Sequence, residues 1–100
     1  MAKAYLIGQV TITNGESYKA YAEGTGALVA SLGGRYLVRG GAMQTLEGSA
    51  AGERIVVIEF GSVAEAEAFY TSDDYAPLRK IRQDNSLSNL ILVEGVESSG

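Results

Sequence analysis

Two stretches decide the fold of this 100-residue chain: Gly33–Gly41, which reads GGRYLVRGG, and Ile55–Phe60, which reads IVVIEF. Glycine accepts the left-handed backbone that ends many helices, so Gly33-Gly34 separates a preceding helix from a strand. A second pair, Gly40-Gly41, interrupts that strand and predicts a bulge or a sharp bend. Ile55–Phe60 is apolar at alternate positions on both faces of a strand. We therefore expect a sheet that carries helices on one face and a partner chain on the other.

The periodicity of apolar residues predicts four strands and three helices around these stretches. A capping box formed by Ser62 and Glu65 opens the second helix, and Pro77 fits the first turn of the third. Gly24 and Gly26 lie inside the first helix, where close packing or a kink explains them better than a phosphate loop. The predicted strands cover residues 3–12, 35–47, 53–60 and 87–94, with a hairpin loop at 48–52. The predicted helices cover about residues 16–32, 63–70 and 77–85.

This order of elements is β-α-β-β-α-β, the ferredoxin-like arrangement, in which right-handed crossovers place the helices on one face of the sheet. The predicted fold class is α+β, with a four-stranded antiparallel sheet. We expect one domain over residues 1–96 and a flexible tail over 97–100. The face without helices would expose several hundred Å² of apolar surface, which monomers rarely do. The sequence therefore predicts a homodimer through sheet-on-sheet packing.

Composition excludes several classes of function. The chain contains no cysteine and no histidine, so it lacks the residues that bind most zinc and haem groups and that build Ser-His-Asp triads. Its net charge is −4 and its eight basic residues are scattered, which argues against a nucleic-acid partner. No apolar run is long enough for a membrane span, and the N-terminus lacks the features of a signal peptide. We expect a cytoplasmic protein without cofactor, metal or membrane contact.

The chain resembles domain of unknown function family 1330 over about residues 3–95. The residues that carry the resemblance are Gly33–Gly41, Ile55–Phe60, Tyr70 with Ser72 and Tyr75, Arg82, and Leu92–Gly95. The resemblance implies the dimeric α/β barrel superfamily, in which two ferredoxin-like sheets close face to face. That family has no established activity. Haem proteins and histidine–aspartate enzymes of the superfamily need a histidine that this chain lacks, whereas cofactor-free monooxygenases and isomerases do not.

Charged residues within apolar strands are the first candidates for a site, because a buried charge is costly unless it is paired. With one bulge residue at Gly40-Gly41, Arg39 is expected within about one residue of Glu59 across the hairpin. Arg35, Arg39 and Glu59 could form an ion pair or a contact at the dimer seam. Alternatively, an arginine could hold an anionic ligand, or the charges could face solvent.

Tyrosines are the second group of candidates. Their rings suit either a core or interface position or the lining of a pocket, and Tyr18 and Tyr70 are the pair expected to line a cavity between helices and sheet. The acidic pairs Glu65/Glu67 and Asp73/Asp74 fit the first turns of helices better than a metal site. The predicted ligand-binding residues are Tyr18, Tyr36, Arg39, Glu59, Tyr70 and Arg82.

These observations predict a small homodimer that binds a semi-apolar molecule between helices and sheet. The alternative is a cofactor-independent isomerase or monooxygenase acting on a small aromatic or polyketide-like substrate. In that case proton transfer by tyrosine, Arg39, Glu59 or Arg82 is the expected step. A purely structural interaction module is a third possibility, and no catalytic residue is assigned.

Overall fold

The computed structural model describes residues 2–49 and 52–97. The four strands are β1 (Ala4–Ile12), β2 (Arg35–Arg39), β3 (Arg54–Phe60) and β4 (Ser86–Glu94). The three helices are α1 (Gly15–Ser31), α2 (Val63–Tyr70) and α3 (Ala76–Asn85). The sheet order is β2-β3-β1-β4, and every neighbouring pair is antiparallel. Each crossover therefore passes over one strand. This confirms the predicted α+β, ferredoxin-like fold class.

Side-chain caps fix where α1 and α2 begin. The Asn14 side chain accepts a hydrogen bond from the backbone N–H of Ser17 at 3.2 Å and caps α1. Ser62 caps α2 in the same way, through the N–H of Glu65 at 3.1 Å. Because such caps satisfy backbone donors that have no partner within the helix, they fix the first turn.

The core lies between the helices and one face of the sheet. Its buried members are Ala4, Leu6, Val29, Ile58, Phe60, Ala66, Phe69 and Tyr75. Gly24 lets α1 and α3 approach closely, because a Cβ at this position would lie 2.6 Å from Leu78 Cδ2. Close packing, rather than a phosphate loop, therefore accounts for this glycine.

The second strand is much shorter than predicted. The expected strand over residues 35–47 is wrong, because β2 ends at Arg39 and the exposed residues 40–49 form no strand. Gly40 has φ +69°, a left-handed conformation that turns the chain away from the sheet edge. The predicted hairpin loop at 48–52 includes Ala50 and Ala51, which lie outside the described residues. Residues 98–100 of the predicted tail also lie outside them.

The bulge in β2 lies earlier than predicted and changes which face Arg39 occupies. The register shifts between Tyr36 and Val38, not at Gly40-Gly41. One extra residue before Arg39 turns its side chain to the opposite face of the strand. Arg39 consequently pairs with Val56, and Arg35 is the residue opposite Glu59. The expected proximity of Arg39 and Glu59 is therefore wrong.

The sheet face that points away from the helices, called the open face below, carries an apolar row across all four strands. Val38 pairs with Val57, Val57 with Ile7, and Ile7 with Ile91. The two edge members are well exposed, Val38 at 41% and Ile91 at 46%. Among the described residues, no helix combines the length and hydropathy needed to cross a bilayer.

Candidate functional site

A pocket lies between α1 and the helix-facing side of the sheet, at the position where Gly8 has no side chain. Gly8 sits on the central strand β1, flanked in register by Val56 and Leu90. The pocket's apolar lining consists of Leu6, Val10, Ala22, Val56, Ile58 and Leu90. The volume of the pocket is about 30 Å³, so it is small.

Three arginines from three different elements also line this cavity, which we call the arginine pocket. Arg39 comes from the end of β2, Arg54 from the start of β3, and Arg82 from α3. The described residues that line the pocket include no aspartate and no glutamate. Three of the eight basic side chains of an acidic protein therefore point at one small space.

Arg82 is the most deeply buried of the three, at 5% exposure. Its Nη1 donates to the Tyr75 hydroxyl at 2.8 Å and its Nε donates to Ser88 Oγ at 3.2 Å. Burial alone would lower the pKa of Arg82, but the neighbouring oxygens of Tyr75 and Tyr21 outweigh it and raise that pKa. Arg82 is therefore charged at any physiological pH, and the side chains that accept its hydrogen bonds, Ser88 and Tyr75, are neutral hydroxyls.

Arg39 and Arg54 close the side of the pocket near the sheet edge. Arg39 Nη2 donates to the Ala22 carbonyl at 2.8 Å, and its guanidinium lies 4.3 Å from the centre of the Tyr36 ring. The Nε of Arg54 is buried and has no hydrogen-bond partner within the described chain. Most buried donors in proteins have a partner, so a donor without one marks a position where a ligand atom could bind.

Three tyrosines, Tyr18, Tyr21 and Tyr36, complete the lining. Burial raises the pKa of Tyr18 and of Tyr36 above the ordinary value of 10.0. The Tyr21 hydroxyl is hydrogen-bonded to that of Tyr75 at 2.8 Å, and burial also raises the pKa of Tyr75. The hydroxyls of Tyr18, Tyr36 and Tyr75 stay protonated at neutral pH and can act as donors.

The structure brings together four of the six predicted site residues. Tyr18, Tyr36, Arg39 and Arg82 all line the arginine pocket. Tyr70 lines a second, roomier cavity of about 290 Å³ instead. The two cavities share Leu6 and Leu90, so they are adjacent, but the second one carries fewer polar side chains.

The sixth predicted residue, Glu59, lies on the open face. Its Oε1 accepts from Arg35 Nε at 2.8 Å and from Lys3 Nζ at 3.3 Å, and its Oε2 accepts from the Tyr5 hydroxyl at 3.3 Å. Burial pushes the pKa of Glu59 upward, but the bonds from Arg35 and Lys3 outweigh it and lower that pKa. Glu59 is thus a paired carboxylate on the other side of the sheet from the pocket.

Sequence reasoning missed Gly8, Tyr21 and Arg54 as pocket residues. Arg54 could have been found, because it shares one face of its strand with Val56, Ile58 and Phe60, and a charge in that pattern must face the core side. Gly8 carried a signal too, since a glycine among apolar residues of a central strand leaves a gap. In residues 2–49 and 52–97, no three carboxylate side chains cluster closely enough to hold a metal ion.

The family model described as Domain of unknown function (DUF1330) matches residues 3–96. The chain belongs to this family. The match spans all four strands and all three helices, including the residues of the arginine pocket. A comparison with curated proteins gives no significant match.

Solved structures with the same fold are distant in sequence. A protein of unknown function from Rhodopseudomonas palustris, RPA0582, is 21% identical, with TM-score 0.76 over 97% of this chain and 85% of that one. SnoaB, a cofactor-independent oxygenase from Streptomyces nogalater, is 11% identical, with TM-score 0.66 over 99% and 98%. A putative antibiotic biosynthesis monooxygenase from Nitrosomonas europaea is 15% identical, with TM-score 0.56 over 100% and 97%. At these identities the likeness establishes the ferredoxin-like fold alone.

Proposed function

We propose that this DUF1330 protein is a homodimer that binds one small semi-apolar molecule per subunit, in the arginine pocket and the second cavity that adjoins it. The observation that carries the proposal is the gap above Gly8, which has an apolar floor and polar groups on its walls. Binding sites for small molecules typically combine an apolar lining with a few converging polar groups. Tyr18, Tyr36, Arg39 and Arg82 are the residues proposed to contact the ligand.

The alternative is a cofactor-independent isomerase or monooxygenase, and SnoaB is an oxygenase of that kind with the same fold. Proton transfer is the expected step in both reactions, and a base works best when its pKa lies near neutral pH. Burial raises the pKa of Tyr18 and Tyr36, so their hydroxyls stay protonated at neutral pH and are poorly suited to take a proton from a substrate. This favours a binding role for the pocket over proton abstraction.

Filling the pocket tests the binding role. A Cβ at Gly8 would lie 3.7 Å from Leu90 and Val10 and 3.8 Å from Val56, which are ordinary contacts. We therefore expect Gly8→Ala to fold normally and to weaken binding of benzyl alcohol, a neutral semi-apolar probe. The dissociation constant comes from amide chemical-shift titration of the labelled protein.

Gly15→Ala is the matched control, because a Cβ there meets no atom within 4 Å and lies outside the pocket. Shift changes confined to Gly8 and its pocket neighbours in the wild type, lost in Gly8→Ala and kept in Gly15→Ala, support the proposal. Unchanged affinity in Gly8→Ala, or shift changes elsewhere on the surface, would contradict it.

The apolar row on the open face supports the proposed dimer. Burying apolar surface stabilises association by roughly 25 cal/mol per Å², and a monomer would leave the row in water. A second copy fits best because a twofold axis that lies between the two sheets would place each apolar row on the other.

Ile91→Lys tests this association, since it introduces a charge into the apolar row. Leu32→Lys is the matched control: Leu32 is also 46% exposed but lies at the end of α1, away from the open face. We expect sedimentation velocity at micromolar concentration to show a dimer for wild type and Leu32→Lys and a monomer for Ile91→Lys. A monomeric wild type would overturn the dimer.

A further inference from the structure

We propose that the ligand of the arginine pocket is an organic carboxylate with an apolar body, and that Arg54 is its principal recognition residue. This inference rests on the proposed function and names the class of molecule that the pocket selects.

The charges of the pocket are the first reason. Arg39, Arg54 and Arg82 bring three guanidinium groups to one cavity. The ion pairs within residues 2–49 and 52–97 are Lys3–Glu59, Arg35–Glu59 and Lys80–Asp84, so none of the three pairs with a described carboxylate. Cationic groups held near each other in partly buried surroundings repel one another, and an anion between them removes that cost.

The unmet hydrogen bond of Arg54 is the second reason. Arg82 and Arg39 donate to protein oxygens, whereas the buried Nε of Arg54 has no acceptor. The guanidinium of Arg54 lies against the backbone of Gly40, where any side chain would displace it. The guanidinium is therefore placed at the pocket by the turn that ends β2, and no oxygen of the described chain satisfies its Nε.

The apolar lining of the pocket limits which class of anion can bind there. A guanidinium presents parallel donors that match the two oxygens of a carboxylate. The floor of Leu6, Val10, Val56, Ile58 and Leu90 cannot hydrogen-bond, so it suits a hydrocarbon body and not a fully hydrated ion such as phosphate.

The sizes of the two cavities also fit an organic carboxylate with an apolar body. The arginine pocket encloses only about 30 Å³, enough for a carboxylate head rather than a whole molecule. The second cavity, of about 290 Å³, adjoins it across Leu6 and Leu90, and its lining is apolar except for Glu67 and the Tyr70 hydroxyl. The carboxylate would sit among the arginines while the apolar body lies across these two leucines toward Tyr70.

The test compares benzoate with benzyl alcohol, which has the same ring but no charge, and with inorganic phosphate, which has charge but no apolar body. Amide chemical-shift titrations on the full chain give dissociation constants for wild type, Arg54→Gln and Lys80→Gln. Lys80 is the matched control, because its replacement also removes one positive charge but its exposed side chain lines neither cavity. Because Arg54 Nε makes no hydrogen bond, Arg54→Gln loses none at this atom. We therefore expect the urea midpoint of the variant to be unchanged or higher than that of wild type.

We expect benzoate to bind wild type at least about tenfold more tightly than benzyl alcohol, because only benzoate can make charge-assisted hydrogen bonds with the arginines. Arg54→Gln should remove about that tenfold for benzoate, while Lys80→Gln should change the benzoate affinity less than about twofold. Equal binding of benzoate and benzyl alcohol would overturn the carboxylate inference and leave the proposed function standing. Phosphate binding as tightly as benzoate would also overturn it. If no probe binds at the pocket, the proposed function fails, and this inference fails with it.

Discussion

Replacing Gly34 with alanine should destabilise the protein through a clash that its neighbours cannot relieve. A Cβ at Gly34 would lie 2.7 Å from Phe60 Cε1, with two further ring atoms at 3.1 Å. Phe60 is 1% exposed, and its ring packs against Phe69 with centroids 5.2 Å apart. The backbone is held as well, because the Gly34 N–H donates to the Val29 carbonyl at 3.0 Å.

The expected cost follows from overpacking a core of native density. Such insertions typically cost about 1–3 kcal/mol, and the stiffer unfolded chain of the alanine variant offsets about 0.4–1 kcal/mol. The net loss should be about 1–2 kcal/mol. For a domain of this size that corresponds to a fall of roughly 4–16 °C in the melting midpoint.

Gly41→Ala is the matched control for this substitution. Gly41 is the second residue of the other glycine pair, but a Cβ there meets nothing within 4 Å and its φ is not positive. Urea unfolding followed by circular dichroism, at one fixed protein concentration, should place Gly34→Ala well below wild type and Gly41→Ala within about 0.5 kcal/mol of it. Equal stability of the two variants would refute the packing account of Gly34.

Three further substitutions have expected outcomes. Glu59→Gln should reduce stability at neutral pH by breaking the contact with Arg35. Because the pKa of Glu59 is lowered by folding, its contribution is present above the ordinary value of 4.5 and is lost as pH falls through the lowered value. The stability gap between Glu59→Gln and wild type should therefore narrow in urea titrations as the pH falls below 4.5 and through the lowered pKa, and a gap that is constant with pH would contradict this. Tyr75→Phe should cost about 1–3 kcal/mol of unfolding free energy, because it leaves the buried Arg82 Nη1 without its acceptor; an unchanged urea midpoint would show that another group satisfies it. Asn14→Ala should lower the free energy of unfolding by about 1 kcal/mol, because it removes the cap of α1. The helical ellipticity should then be lost at a lower temperature on heating, and an unchanged melting midpoint would mean that the cap is not needed.

Much of the fold could be predicted because its signals are local. The alternation in β1 and β3, the Ser62 cap, and the helix end at Gly33-Gly34 all depend on residues close together in the chain. The predicted length of β2 failed because residues 40–49 contain enough apolar side chains to read as a strand, yet no neighbouring strand pairs with them. Strand propensity without a partner does not make a sheet.

The candidate site was predicted less completely. The sequence predicts Tyr18 and Arg82 as site residues, but the pocket that unites them with Arg54 and Gly8 depends on how α1 and α3 lie over the sheet. Arg54 had a visible signal in its strand face, but nothing local showed that its Nε would lack a partner. Such a property depends on every group that packs around it.

The amino-acid order alone determined the class of fold, the side of the sheet that the helices cover, and the apolar row left on the open face, because periodicity along a segment sets which side chains share a face. Only the tertiary structure decided on which face Arg39 lies and that Glu59 pairs with Arg35. The physical reason is that a single bulge residue between Tyr36 and Val38 reverses the face of the sheet on which the later residues of β2 lie. The position of that bulge depends on how β2 pairs with β3 rather than on the sequence of β2 itself.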